Sequence, residues 1–117
     1  MFFRSSVHLV RLSALLIWLG LTTAAAPASD ADRAFEQGRQ LLRQGRLEDA
    51  IGQFDAAVQA DPKQAKCRGF RGIARLRQGQ YREGLADLKR AIELNPGDAG
   101  QKYSAYLKVR LGPFARE

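Results

Sequence analysis

The amino-acid sequence repeats itself with a period of 34 residues, which limits its possible folds more than any other feature. Identical residues recur at this step: Gly38 and Gly72, Gly45 and Gly79, Ala57 and Ala91, and Pro62 and Pro96. Conservative matches keep the same step: Leu42 with Leu76, Leu47 with Tyr81, Ile51 with Leu85, Phe54 with Leu88, and Val58 with Ile92. A fixed period of this length is typical of stacked units that cannot bury their apolar faces alone. Such proteins bind partners along an exposed face and rarely carry catalysis.

Within each copy, the apolar residues follow helical spacing. The stripe recurs at steps of three and four residues: Leu47, Ala50, Ile51, Phe54, Ala57 and Val58, then Leu85, Leu88, Ala91 and Ile92. Residues 43–46 and 77–80 each contain a glycine that can end a helix in the left-handed conformation. Prolines at 62 and 96 interrupt the chain between copies. We therefore expect helices at about residues 30–43, 47–60, 64–77, 81–94 and 99–111.

The two copies, residues 31–64 and 65–98, resemble the tetratricopeptide repeat (TPR) family in their small, turn and proline positions. The resemblance implies an all-α fold, namely an α-solenoid of two helix-turn-helix units. The sequence departs from the family at six positions. The first helices of the family's repeats usually carry bulky side chains where this chain has Ala34, Gln37, Arg68, Arg71 and Arg75, and the second helices usually carry alanine where it has Gly84.

Residues 99–111 are predicted to form a capping helix over the second copy. Asp98 is a good N-cap, and Gln101 stands at the capping-box position. Four apolar or aromatic side chains are spaced to cover the exposed end of the repeats: Tyr103, Tyr106, Leu107 and Leu111. The alternative is a third, truncated repeat, but a tyrosine at the small position of the two copies favours the cap. We therefore assign residues 29–112 to one TPR domain and residues 113–117 to a short tail.

Residues 1–28 have the order of regions of a secretory signal peptide. Basic residues at 4 and 11 precede an apolar stretch over residues 12–21 and a small-residue segment over residues 22–28. The Ala26-Pro27-Ala28 sequence predicts cleavage before Ser29. We expect an exported, periplasmic protein with no stable membrane insertion after cleavage. The alternative is a tether formed by an uncleaved signal anchor.

Charge and cysteine content describe a small basic domain without covalent cross-links. Residues 1–28 hold two of the 19 Lys and Arg and none of the 12 Asp and Glu, so cleavage leaves a formal charge of +5. Cys67 is the only cysteine, which excludes an intrachain disulfide. Its place beside Ala74 on the helical wheel favours burial over a reactive thiol or an intermolecular bridge.

Basic residues cluster in the second copy, where residues 63–82 contain seven Lys or Arg and no acid. In the resembled family, the first helix of each repeat lines a concave groove, which implies a partner-binding set: Phe35, Arg39, Arg43, Lys66, Phe70, Ile73, Arg77 and Tyr103. Aromatic residues among cations would suit an extended acidic peptide or a free carboxylate. A solvated basic face is the alternative. For the opposite stripe, Arg68, Arg71 and Arg75, we expect aliphatic stems over the neighbouring helix and charged heads in water, with a second binding surface as the alternative.

The residue inventory argues against an enzyme. His8 is the only histidine and lies in the predicted signal peptide, so no imidazole base or metal ligand is expected in the mature chain. No glycine-rich phosphate loop occurs, and we expect no cofactor. The family's carboxylate clamp relies on groove asparagines, whereas Asn95 is the only asparagine and lies in a loop. We predict a module that binds a partner protein or acidic peptide. The alternatives are an assembly subunit of an envelope complex, a self-associating domain, or a polyanion binder, with nucleic acid not expected because of export.

Overall fold

The computed structural model describes residues 28–112, which form five α-helices and no strand. The helices are α1 (Asp30–Arg43), α2 (Leu47–Ala60), α3 (Ala65–Gln78), α4 (Tyr81–Leu94) and α5 (Asp98–Leu111). Every boundary lies within one residue of its predicted position, so the predicted all-α solenoid is confirmed. Almost all of the predicted signal peptide and the whole of the predicted tail lie outside the described residues.

Two glycines turn the chain between the helices of each unit. Gly45 follows α1 with φ of 78°, and Gly79 follows α3 with φ of 91°. The Arg46 N–H donates to the Leu41 carbonyl at 3.0 Å, and the Gln80 N–H donates to the Arg75 carbonyl at 2.8 Å. These bonds satisfy helix-end carbonyls in the manner of a Schellman motif. The predicted role of the glycines is confirmed.

The start of α5 differs from its prediction, because Asp98 is the first helical residue and Gly97 is the N-cap. No side chain caps this helix. The Asn95 Oδ1 accepts the Gly97 N–H at 3.1 Å, and the Gly97 carbonyl accepts the Gln101 N–H at 3.0 Å. This local turn begins the helix one residue early, so the predicted capping box is wrong. Asp98 still lies in the first turn, where a negative charge favours the helix dipole.

The first core cluster joins the two units through three aromatic rings. The ring of Phe54 on α2 is fully buried beneath Gly38 of α1, where an added Cβ would lie 2.6 Å from a ring carbon. Its centroid lies 6.0 Å from that of Phe35 and 6.1 Å from that of Phe70 on α3. Cys67 belongs to the same cluster and is fully buried, as predicted. Because α3 completes the core of the first unit, neither unit buries its apolar face alone.

The second core cluster lies beneath α5. Its buried members come from three helices: Ala65, Leu76, Leu88, Ala91 and Tyr103. The Tyr103 ring packs directly against Gly69, where any side chain would overlap it. Gly84 accounts for one departure from the family pattern, since a Cβ there would lie 2.9 Å from the Gly72 carbonyl oxygen of α3. The α3–α4 crossing is therefore too close for alanine without a shift.

Arg71 and Arg75 form a largely buried ionic cluster, contrary to the predicted exposure of their charged heads. Arg71 donates from Nε and Nη2 to the carboxylate of Asp87 at 2.8 and 2.7 Å, and from Nη1 to Asp55 at 2.8 Å. Arg75 Nη1 donates to the same Asp87 carboxylate at 2.8 Å. Hydrogen bonding to Asp87 raises the pKa of Arg71, so this guanidinium is held in its charged form. The prediction was wrong because Asp55 of α2 and Asp87 of α4 lie within hydrogen-bonding distance of these arginines. Arg68 forms no ion pair within residues 28–112, and its Nε donates to the Pro62 carbonyl at 3.4 Å.

Candidate functional site

The first helices of the units lie side by side, with α1 contacting α3 and α3 contacting α5. We call the side of the molecule formed by α1, α3 and α5 the groove face. Four of the predicted groove residues form one cluster there. Phe35 and Phe70 pack edge to face with centroids 5.2 Å apart. The Arg39 guanidinium lies 5.8 Å from both ring centroids, and the Lys66 ammonium lies 4.7 Å from that of Phe35. These separations are within the range of cation–π attraction.

Acidic neighbours partly balance the cations of this cluster. Lys66 Nζ lies 3.0 Å from Asp32 Oδ1, and Arg39 Nη1 lies 3.2 Å from Glu36 Oε1. The hydrogen bond from Lys66, followed by that from Ser29, lowers the pKa of Asp32. The sequence contained a signal for the first pair, because Asp32 and Lys66 are separated by one 34-residue period and so occupy equivalent places on adjacent helices. Sequence reasoning placed Lys66 in the predicted groove set but did not pair it with Asp32.

An apolar cleft of about 560 Å³ lies between α3 and α5. Its apolar walls include Phe70, Ile73 and Tyr103, all predicted groove residues. The remaining lining residues were not predicted as groove residues, since the sequence assigned Tyr106 to capping and Asn95 to a loop. They are Asn95, Asp98, Ala99, Lys102 and Tyr106. Tyr103 is 7% exposed, and its burial raises its pKa to about 12. It therefore remains a neutral wall of the cleft at physiological pH.

A second, smaller cleft of about 320 Å³ adjoins the first at the start of α3. We call it the lysine shelf, and its lining comprises Lys63, Gln64, Ala65, Lys66, Leu94, Asn95 and Ala99. Two lysines and no carboxylate belong to this set. The shelf and the apolar cleft share Asn95 and Ala99, so they form one continuous surface with an apolar part and a basic part.

The remaining predicted groove residues, Arg43 and Arg77, lie away from this surface. Each is exposed in or near the last turn of its helix, α1 or α3. Neither lines the apolar cleft or the lysine shelf. Basic side chains in a last helical turn are favoured by the helix dipole.

Other chemistry is limited over residues 28–112. In that range, His, Cys, Asp and Glu side chains form no group of three that could hold a metal ion. Cys67 is fully buried, and desolvation raises the pKa of its thiol. The thiolate, which is the reactive form, is therefore disfavoured. Among the described helices, none has the length and apolar character needed to cross a bilayer.

The stacked helix pairs and the groove face define an α-solenoid interaction scaffold. The sequence profile described as "Tetratricopeptide repeat" matches residues 21–65 and 71–106, which is more than half of the chain. The chain therefore belongs to the tetratricopeptide repeat family. The first matched segment begins within the predicted signal peptide.

Similar proteins include TPR proteins much longer than this chain. DnaJ homolog subfamily C member 3 of Rattus norvegicus is 39% identical over 88 residues, covering 74% of this chain and 18% of the relative. Tetratricopeptide repeat protein 37 of Xenopus laevis is 32% identical over 101 residues, covering 82% of this chain and 6% of the relative. Hsp70-Hsp90 organizing protein 1 of Glycine max is 35% identical over 66 residues, covering 56% of this chain and 12% of the relative. The chain thus spans less than a fifth of the length of each.

Proposed function

We propose that this chain is an exported TPR module that binds a partner protein or an acidic peptide on its groove face. The observation that carries the proposal is the apolar cleft of about 560 Å³, which opens beside the cationic cluster. Phe70 belongs to both features, since its ring packs against Phe35 and also lines the cleft. Apolar anchors surrounded by polar groups are the usual energetic centre of a protein interface.

The similarity to longer TPR proteins supports a protein as the partner class. The relative from Glycine max is, by its name, an organizing protein of Hsp70 and Hsp90, which are themselves proteins. We infer binding without catalysis for this chain, because its only histidine lies in the predicted signal peptide. A solitary buried thiol adds no nucleophile with a basic partner.

Photocrosslinking from the groove face would identify the partner. A photoreactive amino acid in place of Ile73 should yield adducts with a partner protein in the cell envelope, whereas the same group at exposed Lys89 of α4 should not. The adduct, mapped by mass spectrometry, supplies a peptide for binding measurements. Adducts at Lys89 alone would move the binding face to the other side of the solenoid.

Charge reversal then tests the basic character of the groove. The double variant Arg39→Glu with Lys66→Glu reverses the two cations beside the Phe35 and Phe70 rings and should bind the mapped peptide at least about tenfold more weakly at low salt. The ratio should shrink at high salt, since exposed charges are screened. Isothermal titration calorimetry measures both values, and circular dichroism checks that the helical content is unchanged.

The matched control is Arg82→Glu with Lys89→Glu, which changes the net charge equally at exposed positions outside both clefts. Arg75 does not serve as a control, because it donates to the buried Asp87 carboxylate. Equal weakening of peptide binding by both double variants would show that the loss of affinity comes from net charge alone. Unchanged affinity in the groove variant would contradict a basic groove.

Export is tested by the mass of the mature protein. We expect an N-terminus at Ser29, within a few residues, because Ala28 and Ala26 supply the small residues that signal peptidase cleavage requires. Intact-mass spectrometry of the envelope fraction measures this directly. A pool that retains Met1 and sediments with membranes would establish an uncleaved anchor instead.

A further inference from the structure

We propose that the groove face selects peptides in which a bulky apolar side chain lies two residues from a carboxylate. The apolar side chain occupies the apolar cleft, and the carboxylate lies on the lysine shelf. The proposal rests on the function proposed above and adds the recognition rule of the partner. It depends on the two clefts being adjacent and chemically different.

The apolar cleft has fixed walls on both sides. On one side Tyr103 packs directly against Gly69 and is 7% exposed, so its ring cannot swing away without breaking the second core cluster. On the other side Phe70 is held edge to face against Phe35. The volume of about 560 Å³ falls in the range of roughly 300–1,000 Å³ found for pre-formed ligand pockets. An aromatic or branched aliphatic side chain fits this environment.

The lysine shelf is complementary to a carboxylate. Its lining contains Lys63 and Lys66 and no acid. Asp32 pairs with Lys66 at 3.0 Å from outside the shelf lining, whereas Lys63 forms no ion pair within residues 28–112. A peptide carboxylate would therefore meet the Lys63 ammonium and compete with Asp32 for Lys66. Removing the Asp32 carboxylate should therefore strengthen peptide binding, whereas removing the lysines should weaken it.

The adjacency of the two clefts favours a short spacing of the two peptide groups. Asn95 and Ala99 belong to both clefts, so the two clefts are immediate neighbours. In an extended peptide, side chains two residues apart point to the same side and are about 6.6–6.8 Å apart along the chain. An apolar residue and an acidic residue at this spacing can enter both clefts at once.

A set of synthetic peptides tests the rule on the unaltered protein as the cell produces it. Fluorescein-labelled Gly-Ser peptides with the core Phe-Ser-Glu, and with the reversed core Glu-Ser-Phe, cover both chain directions. The better core should bind at least about tenfold more tightly than versions with alanine for phenylalanine, glutamine for glutamate, or the two groups six residues apart. Fluorescence anisotropy measures these affinities. Equal affinities across the set, or no binding, would overturn the proposal.

Protein variants assign each preference to its cleft. Lys63→Gln with Lys66→Gln should abolish the preference for glutamate over glutamine, whereas Lys89→Gln with Lys108→Gln, exposed positions outside both clefts, should preserve it. Asp32→Asn should strengthen binding of the glutamate peptide about threefold and leave the glutamine peptide unchanged, because Lys66 is released. Weaker glutamate binding in Asp32→Asn would contradict the shelf assignment.

Three further outcomes separate this rule from its alternatives. If the peptides suppress photocrosslinking at Ile73 but bind with equal affinities, the groove function stands and the recognition rule fails. If the mapped partner binds elsewhere and no peptide suppresses crosslinking at Ile73, the groove function itself fails. Binding to phosphatidylserine vesicles that depends on Lys63 and Lys66, without peptide preference, would assign the shelf to a lipid surface and overturn the proposal.

Discussion

An Asp87→Ala variant is expected to lose about 3–5 kcal/mol of unfolding free energy, because removing the buried acid leaves two largely buried guanidiniums with only the partly exposed Asp55 as partner. The Asp87 residue is 5% exposed, and its carboxylate accepts three hydrogen bonds from Arg71 and Arg75. Both guanidiniums would lose this acceptor while remaining largely buried, with 14% and 21% of their side chains exposed. Chemical denaturation in urea measures the change.

A neighbouring acid provides the control for this cluster. The Asp55 side chain is 40% exposed and accepts from Arg71 at 2.8 Å, so Asp55→Asn should cost only about 1 kcal/mol or less. Replacing the cluster with apolar residues, Asp87→Leu with Arg71→Met and Arg75→Met, should recover much of the stability lost in Asp87→Ala. A loss below about 1 kcal/mol for Asp87→Ala would mean that solvent reaches the cluster.

A Phe54→Ala variant is expected to lose about 3–5 kcal/mol, because the truncation leaves a cavity in the middle of the first core cluster. The Phe54 ring is fully buried and packs against two other rings and Gly38. Since small domains have unfolding free energies of only about 5–15 kcal/mol, this loss threatens the fold itself. Urea melts followed by circular dichroism measure it.

Milder variants keep the second prediction testable if Phe54→Ala does not fold. Phe54→Leu should cost less than Phe54→Ala, and Leu88→Ala, one 34-residue period later, should cost about 2–5 kcal/mol. Val109→Ala is the control, because Val109 is 87% exposed and its truncation should change stability by less than about 0.5 kcal/mol. Losses below about 1 kcal/mol at both Phe54 and Leu88 would contradict the repeat register.

Both predictions also report on cooperativity between the repeats. Phe70 and Cys67 of the second unit pack in the core around Phe54, and Arg71 of the second unit bonds to Asp55 of the first. We therefore expect a single unfolding transition for the two units, with coincident melts by fluorescence and circular dichroism. Separate transitions would show that these contacts across the repeat boundary are weak.

The sequence by itself determined the helices, their turns and the central core positions. Helical periodicity and the 34-residue period are local properties of the chain, so they place Phe54 and Leu88 inside and Gly45 and Gly79 at the turns. The burial of Cys67 followed from the same helical wheel. The groove residues predicted from the family resemblance were grouped only in part, with Phe35, Arg39, Lys66 and Phe70 brought together in one cluster.

The tertiary structure alone decided which charges meet and where the surface opens. Arg71 bonds to acids 16 residues away on either side, Asp55 on α2 and Asp87 on α4, and α4 crosses α3 closely at Gly72 and Gly84. The apolar cleft depends on how α5 rests on Gly69 through Tyr103. A helical wheel gives the direction of a side chain about its own axis. It does not give the rotation and separation of neighbouring helices, which close packing of the side chains between them decides.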